Sequence, residues 1–485
     1  MDHDVLAHEN TPDFQTTVFS LPELRANIVP FLSKADIQAM IQTCTAWLDL
    51  WAPELYTRLI LSQYTRSDPT PNLVKYGRHV QTLRVYDTHF QPTMFVIQHT
   101  PNLRRFELSY ASLSSTEVDQ VLSALPAEVH HLYATLQSLV RHGVGGPLWF
   151  QPVFHSVAHL HNLQSLEWNA SGMTIHVDDI LHVLQACPYL VSLDVSNLKI
   201  VYLASGSSVE HETVAMSGRP SDPPGPLVSA ILDTDLNALY IGRRLQKLAL
   251  HSIHISDEGV LRLLGIDMVP KEEAASVILP LRSHALVRLV VDRCYSITHR
   301  SGARIMQECD RIQYLNIYQS MIATIELFQG GGGGQNLWSC SKSIQQLSLD
   351  VKLSNFDPTR IYKPEAMLRE GVQPLALADQ LLIRDQFRAL TELRVFRLTG
   401  YPIDFVVLED MAFARNLQSA DAQLMCRVPF GSVEQELERL ERLAKEWSDN
   451  QPEGWQVTVG KGTTNYPPKF LIKFLAEDEK AVCFE

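Results

Sequence analysis

Residues 286–315 read LVRLVVDRCYSITHRSGARIMQECDRIQYL, which has the pattern of one strand, one helix and the start of a second strand. The stretch opens with the spacing apolar-x-x-apolar-x-apolar, and the same spacing restarts at Ile312, 26 residues further on. Successive side chains of a strand point to opposite sides, so this spacing predicts a short strand with one buried face. The intervening residues favour a helix that ends near Cys309. We therefore predict a strand–helix unit that repeats along the chain.

The strand spacing occurs eight times between residues 80 and 349. The matches are Val80-Leu83-Val85, Leu103-Phe106-Leu108, Leu163-Leu166-Trp168, Leu190-Leu193-Val195, Leu245-Leu248-Leu250, Leu286-Leu289-Val291, Ile312-Leu315-Ile317 and Ile344-Leu347-Leu349. Val129-Leu132-Ala134 is a weaker match, and residues 390–398 fit the spacing in two frames. These segments are predicted to be the strands of stacked repeats.

Helices are predicted between the strands, and insertions where the gaps are long. Ser114 and Glu117 have the spacing of a capping box at the start of a helix. Other helical stretches are residues 178–187, 256–265 and 300–309. Several long gaps contain Gly, Pro and Ser clusters, which are typical of loops. We predict insertions near residues 201–230, 266–285, 329–343 and 354–376.

Cys294 sharpens the interpretation, because it follows a predicted strand at the Asn/Cys position of a leucine-rich repeat. The segment from Leu286 through Cys294 to Thr298 is similar to the cysteine-containing leucine-rich repeats that accompany F-boxes. At this position a small buried polar group can satisfy backbone donors as the chain leaves the strand. The resemblance implies an α/β fold, a horseshoe-shaped solenoid with loop insertions. A generic α/β sheet protein would also alternate strands with helices, and it stays open as the alternative.

The segment 19–56, FSLPELRANIVPFLSKADIQAMIQTCTAWLDLWAPELY, predicts three short amphipathic helices. Ser20 with Glu23, and Ser33 with Asp36, have the spacing of capping boxes at two helix starts. Pro30 is expected to loosen the end of the first helix, because proline lacks an N–H and its ring clashes with the preceding turn.

This segment resembles an F-box, the module that binds the small adaptor subunit of SCF-type ubiquitin ligases. The resemblance implies that the adaptor is bound by Leu21, Pro22, Leu24, Ile28, Leu32 and Trp47. A plain helical cap on the following domain is the alternative. We divide the chain into a disordered tail at 1–18, the F-box at 19–62, degenerate leucine-rich repeats at 63–430, and a capping helix with terminal strands at 431–485. The capping helix is expected within 431–450.

Composition excludes several classes of protein. The chain has 485 residues with 41 basic and 54 acidic side chains, a net charge of −13 that opposes binding to nucleic-acid phosphates. No run of 18 or more apolar residues and no signal peptide occur, so we expect no membrane association and a cytoplasmic or nuclear location. The seven cysteines include no CxxC pair, which argues against a disulfide framework and a zinc finger.

Sequence motifs for catalysis are weak. His155, His159 and His161 could approach one another around a helix, as a metal site requires, but no carboxylate or thiol lies in that segment. Histidines scattered on helix faces are the expected account. The glycines at 330–334 lack the Lys-Ser/Thr that follows in a phosphate-binding loop. We expect no metal, no cofactor and no enzymatic activity.

The predicted function is that of a substrate-recognition subunit of an SCF-type E3 ubiquitin ligase, joined through the adaptor to a cullin. An F-box scaffold without a role in ubiquitination is the alternative. Strand positions opposite the buried leucines would form a concave face that binds the substrate protein. Those proposed for binding are Arg84, Tyr86, Glu107, Glu167, Asp194, His251, Asp292, Tyr318 and Asp350. Their acids predict a substrate with a basic segment, unless they are only solvated side chains of an acidic protein.

Overall fold

The computed structural model describes the ranges 21–43, 45–62, 70–86, 89–109, 113–136, 156–170, 174–201, 242–266, 284–317, 320, 322, 325–329, 338–351, 377–400, 419–425, 455–461 and 469–476, with single residues at 438, 442 and 445. The chain divides into two compact units. The first comprises Met1–Leu139 and His159–Leu163, and the second comprises Val140–Ala158 and Gln164–Glu485. The predicted tail at 1–18 and nearly all of the predicted helix at 431–450 lie outside the described residues.

Three short helices begin the first unit: α1 (Pro22–Ile28), α2 (Lys34–Thr43) and α3 (Thr45–Tyr56). The capping box at Ser33 is present, because the Asp36 carboxylate accepts from the Ser33 N–H at 2.8 Å and the Ser33 hydroxyl accepts from the Asp36 N–H at 3.2 Å. Ser20, where the other box is expected, lies outside the described residues, and the N-cap of α1 is Leu21, which makes no side-chain capping bond. Pro30 lies in a 3-10 turn, Val29–Phe31, so the regular first helix is shorter than expected.

The rest of the first unit consists of strand–helix repeats. The strands β1 (Arg58–Ser62), β2 (Thr82–Tyr86), β3 (Arg105–Ser109) and β4 (His131–Leu136) pair in this order, all parallel. The helices are α4 (Thr70–Tyr76), α5 (Phe90–Gln98) and α6 (Ser115–Ser123). The sheet therefore begins at Arg58, before the predicted domain boundary at residue 63. Tyr56, Leu59 and Leu61 follow the strand spacing, which explains why this segment joins the sheet.

The second unit continues the same plan. Its sheet has the order β5 (Ser165–Ala170), β7 (Ser192–Ser196), β9 (Lys247–His251), β10 (Arg288–Asp292), β11 (Tyr314–Ile317), β12 (Gln346–Val351), β13 (Val395–Gly400), β14 (Ser419–Met425), β16 (Lys469–Ala476) and β15 (Trp455–Lys461). Pairs from β5 to β14 are parallel, and β14, β16 and β15 pair antiparallel. Two short strands, β6 (Thr174–His176) and β8 (Lys199–Val201), form a separate parallel pair.

Five helices of the second unit lie between its strands in the described part of the chain. They are α7 (Val177–Ala186), α8 (Asp257–Leu264), α9 (His299–Glu308), α10 (Ile325–Gln329) and α11 (Leu377–Arg388). In the first unit, the predicted capping box of α6 is complete, with Ser114 and Glu117 each bonding the other's backbone N–H. Ser256 caps α8, because its hydroxyl accepts from the Gly259 N–H at 3.1 Å. A parallel strand followed by a helix is the unit of a leucine-rich repeat.

The core lies on the strand face that the leucine spacing predicts. Leu83, Phe106, Leu166, Leu248 and their counterparts in the eight predicted strands are all buried. The weaker match is also a strand, with Leu132 and Ala134 buried in β4. In residues 390–398 the correct frame is Leu393-Phe396-Leu398, each about 1% exposed. Apolar burial of this kind contributes roughly 25 cal/mol per Å² and is the main stabilising term.

Three strand exits share one unusual backbone conformation. Asn197, Ser252 and Arg293 directly follow β7, β9 and β10, and their φ angles are 59°, 53° and 54°. This left-handed region costs about 1 kcal/mol or more for residues with a Cβ. In return the bonding between repeats continues past the strands, because the Ser252 N–H donates to the Asp292 carbonyl at 2.8 Å and the Asn197 N–H to the His251 carbonyl at 2.9 Å.

Cys294 follows β10 and interacts with backbone donors as expected, because the backbone N–H groups of Ile253 and Ser252 hydrogen-bond to its sulfur. Its thiol also donates to the carbonyl oxygens of Asp292 at 3.3 Å and Leu250 at 3.4 Å. Burial raises the pKa of Cys294 to about 12, so the thiol stays protonated and unreactive at neutral pH.

Two predicted insertions are narrower than expected where their edges are described. Trp338 is buried, and its backbone N–H donates to the Gln386 side-chain oxygen at 3.2 Å. A 3-10 turn follows at Ser339–Lys342. The insertion predicted near 329–343 therefore ends before residue 338. Ile266 and His284, at the edges of the insertion predicted near 266–285, are both buried within the repeats.

Candidate protein-binding surfaces

The second unit carries a groove on the polar face of its sheet, the face opposite the buried leucines. This strand groove has a volume of about 590 Å³ and crosses the strands from β5 to β13. The polar and charged residues that line it are Glu167, Ser192, Asp194, Lys247, His251, Arg288, Asp292, Tyr314, Asn316, Ser348 and Arg397. Ala249 and Val290 provide shorter, apolar side chains between them.

Four residues predicted for substrate binding meet in the strand groove. Glu167, Asp194, His251 and Asp292 line it together, as the strand alternation indicates. Lys247, Arg288 and Arg397 line the same groove, so bases face it together with the expected acids. The predicted face residues occupy only the last two outward positions of each strand. Lys247 and Arg288 occupy the first outward position, which the same alternation rule would have found.

His251 lies between two carboxylates at one side of the strand groove. Its Nδ1 is 3.6 Å from Asp292 Oδ2, and its Nε2 is 4.0 Å from Asp194 Oδ1. Burial raises the pKa of Asp194, and the charges of His251 and Arg288 offset this only in part. Burial acts in the same sense on Asp292, but hydrogen bonds from His251 and Arg293 outweigh it and hold its pKa low. Of the two carboxylates, Asp194 is the less well stabilised as an anion.

Glu107, in the first unit, has a structural role and is not a free binding residue. Its carboxylate is only 6% exposed and forms ion pairs with Arg84 at 2.7 Å and Arg105 at 2.6 Å. Breaking a buried pair by removing one partner costs about 3–5 kcal/mol. Glu107 and Arg84 therefore stabilise the sheet of that unit.

The other predicted face residues differ in exposure. Tyr86 is partly exposed at the end of β2, where it aligns with Ser109. Asp350 is 8% exposed and makes its own polar interactions, so it does not offer a free carboxylate. Tyr318 lies outside the described residues.

The N-terminal helices expose large apolar side chains. Leu21 is 48% exposed, Leu24 is 39% exposed and Phe31 is 87% exposed. Ile28, Leu32 and Trp47 are partly buried, and Pro22 is the first residue of α1. Phe31 was not among the predicted adaptor-binding residues, although an aromatic residue directly after Pro30 and off the apolar stripe could have indicated it.

The histidine segment shows no metal geometry in the described part of the chain. His159 Nε2 donates to the Leu125 carbonyl at 3.0 Å, which accounts for its position. His161 is exposed, and His155 lies outside the described residues. Among the described residues, no three His, Cys, Asp or Glu side chains are placed to bind one metal ion. No helix in the described ranges has the length and apolar character needed to cross a bilayer.

The fold and these surfaces define an α/β repeat protein of the leucine-rich-repeat type. No protein-family model matches the chain, and no curated protein matches it. Among solved structures, the TLR13–ssRNA13 complex is similar at 13% identity with a TM-score of 0.32, over 72% of this chain and 40% of TLR13. A leucine-rich-repeat protein of Leptospira interrogans is similar at 13% identity with a TM-score of 0.27, over 77% of this chain and 90% of that protein.

Proposed function

We propose that this chain is the substrate-recognition subunit of an SCF-type E3 ubiquitin ligase, and that it recruits a target protein without catalysing a reaction itself. The observation that carries the proposal is the exposed apolar surface on the N-terminal helices. Leu21, Leu24 and Phe31 cluster within eleven residues of sequence and remain accessible after folding.

Exposed apolar side chains of this size favour a binding partner. Single exposed leucines are common on any protein, but several large ones in one short segment mark an interaction site. Short amphipathic helices bind partner grooves through a few buried anchors, which supply most of the binding energy. The resemblance of residues 19–56 to an F-box identifies the proposed partner as the SCF adaptor, which links the chain to a cullin.

The strand groove supports the substrate-binding half of the proposal. It is polar, accessible and built on a hydrogen-bonded sheet, which holds its side chains in fixed register. Rigid elements of this kind position a binding site more accurately than loops do. The second candidate function is an F-box scaffold that binds the adaptor but delivers no substrate.

Co-purification of the tagged full-length chain tests adaptor binding. The double variant Leu21→Ala/Leu24→Ala should lose about 2 kcal/mol or more of binding free energy, which corresponds to at least roughly 30-fold weaker adaptor binding. Ile60→Ala/Val74→Ala is the matched control, because Ile60 and Val74 are exposed apolar residues elsewhere in the same unit, 54% and 66% accessible.

Two outcomes would contradict the proposal. Adaptor and cullin retained at the wild-type level by the Leu21→Ala/Leu24→Ala variant, with an unchanged circular dichroism spectrum, would sink the assignment of these helices. Normal adaptor binding without any co-purifying protein whose ubiquitination depends on the chain would leave the scaffold function instead.

A further inference from the structure

We propose that the strand groove binds an extended peptide segment that carries a basic side chain and an acidic side chain about three to four residues apart. This inference rests on the proposed function in one respect, since the segment would belong to the recruited protein. It departs from the expectation of a purely basic ligand.

Two pairs of register partners in the groove carry opposite charges, and Asp292 adds a third acid on β10, two residues after Arg288. Glu167 on β5 and Asp194 on β7 are register partners, and they form the acidic end. Lys247 on β9 and Arg288 on β10 are also register partners, and they form the basic end. Ser192 on β7 and Ala249 on β9, which both have short side chains, lie between the two pairs.

Sheet geometry gives the distance between the two ends. Lys247 is the register partner of Ser192, so the basic pair lies two residues nearer the strand starts than Asp194. The centres of the two pairs are also two strand spacings apart. With about 4.8 Å between strands and about 3.3 Å per residue, the diagonal is about 12 Å. An extended ligand covers that distance in about three to four residues.

Each end of the groove is able to take an opposite charge. The Asp194 carboxylate has its nearest ion-pair contact at 4.0 Å, to the His251 ring, and burial disfavours its charged form. A lysine or arginine of the ligand would give Asp194 a closer partner than any ion-pair contact it makes among the described residues. At the other end, the Arg288 guanidinium lies 4.2 Å over the ring of Tyr314, and both residues line the groove.

The balance of charge favours this ligand over those of a single sign. Three acids and three bases line the groove, with Asp292 and Arg397 completing the two sets. A polyanion such as RNA would place phosphates beside Glu167, Asp194 and Asp292. A polycation would meet Lys247, Arg288 and Arg397, so like-charge repulsion opposes both.

The test uses the full-length chain and a display library of random 12-residue peptides as the probe. We expect the enriched peptides to contain Lys or Arg three or four residues from Asp or Glu at least 10 times as often as the unselected library. Resynthesised peptides should bind at least 10-fold more weakly to Glu167→Gln/Asp194→Asn and to Lys247→Gln/Arg288→Gln. Changing the peptide's basic residue to Ala should add no further loss in the first variant, and changing its acidic residue should add none in the second.

The matched control is Asp310→Asn/Arg311→Gln, which removes one acid and one base at exposed positions outside the groove. This variant should bind the peptides as the wild type does. Peptides of one charge sign, peptides unaffected by the groove variants, no enrichment at all, or RNA that competes for the groove would each overturn the inference. All groove variants should bind the adaptor as the wild type does. If the wild type itself does not bind the adaptor, the proposed function is refuted, but the peptide result is unaffected.

Discussion

Acids at equivalent strand positions on the polar face of the sheet differ in their ion pairing. Glu107 and Asp194 each lie between two buried apolar residues of a strand. Arg84 and Arg105 enclose Glu107 within 2.7 Å, whereas the ion-pair contact of Asp194 within the described residues is His251 at 4.0 Å. Arg105 is on the same strand as Glu107, but Arg84 is on the neighbouring strand β2. A strand pattern therefore predicts which side chains point outward but not which of them are free to bind.

His284 makes the stability of the protein depend on pH. Its side chain is fully buried, and neither ring nitrogen has a hydrogen-bond partner among the described residues. Burial, followed by the charge of Arg243, lowers the pKa of His284 from 6.5 to about 4. The unfolded chain takes up a proton below pH 6.5 while the folded chain does not. The free energy of unfolding should therefore fall between pH 6.5 and 4, by about 3 kcal/mol from this group.

Urea unfolding of the wild type and of His284→Leu across this pH range measures the effect. The unfolding free energy of the wild type minus that of His284→Leu should fall by about 3 kcal/mol as the pH falls from 7 to 4. His254→Gln is the matched control, because His254 is an exposed histidine of the same unit and should leave the pH dependence unchanged. A constant difference between wild type and His284→Leu would show that the folded protein protonates His284 at its ordinary pKa.

At the scale of elements, most strands could be predicted because their signal is local. A strand that buries alternate residues needs only Leu248 and Leu250 with Leu245 before them, and six residues of sequence contain that pattern. β1 was not predicted because residues 58–62 were assigned to the F-box, although Tyr56, Leu59 and Leu61 follow the same spacing. The short strands β6 and β8 were missed because each is stabilised mainly by the other. The sequence alternation places Lys247 and Arg288 on the outward face, but that they lie side by side depends on the register of β9 and β10.

The turns before the strands contain a testable packing constraint. Gly242 lies three residues before Leu245, and Gly77 lies three residues before Val80. Leu245 and Val80 are each the first apolar residue of the strand spacing. A Cβ on Gly242 would lie 2.4 Å from the Leu263 carbonyl oxygen at the end of α8. Because this contact is with backbone, the end of the helix would have to move. Gly242→Ala should therefore destabilise the protein by about 2 kcal/mol in urea unfolding.

Gly259→Ala provides the comparison for that substitution. A Cβ at Gly259 would lie 2.9 Å from Cγ1 of the Ile255 side chain rather than against backbone, and alanine favours the helix by about 1 kcal/mol. We expect a change of less than about 1 kcal/mol there. Equal stability of Gly242→Ala and the wild type would mean that the turn and α8 are not packed as closely as described.

At the scale of the whole molecule, the net charge of −13 sets the class of partner. A chain of this charge repels phosphate backbones at long range, and several of its described arginines form ion pairs with acids. The full-length protein should therefore show no binding to a 13-nucleotide single-stranded RNA at 150 mM salt, as measured by fluorescence anisotropy. Binding with a steep dependence on salt concentration would contradict this prediction, because it would reveal a basic surface that releases counterions.

The pairing of β7 with β9 has a consequence for how the protein can be made. Ser192–Ser196 bonds directly to Lys247–His251, although a long connection separates the two strands in sequence. The cost of closing such a connection grows only with the logarithm of its length, so a long connection is compatible with the pairing. Cutting it makes the pairing bimolecular, and the interface must then also offset the entropy of association. Two polypeptides cut between these strands should recognise each other through the same backbone bonds and buried leucines. The connection between β7 and β9 is therefore a suitable site for splitting the chain into two complementing fragments. Association of the two fragments would report assembly of the repeat array inside a cell.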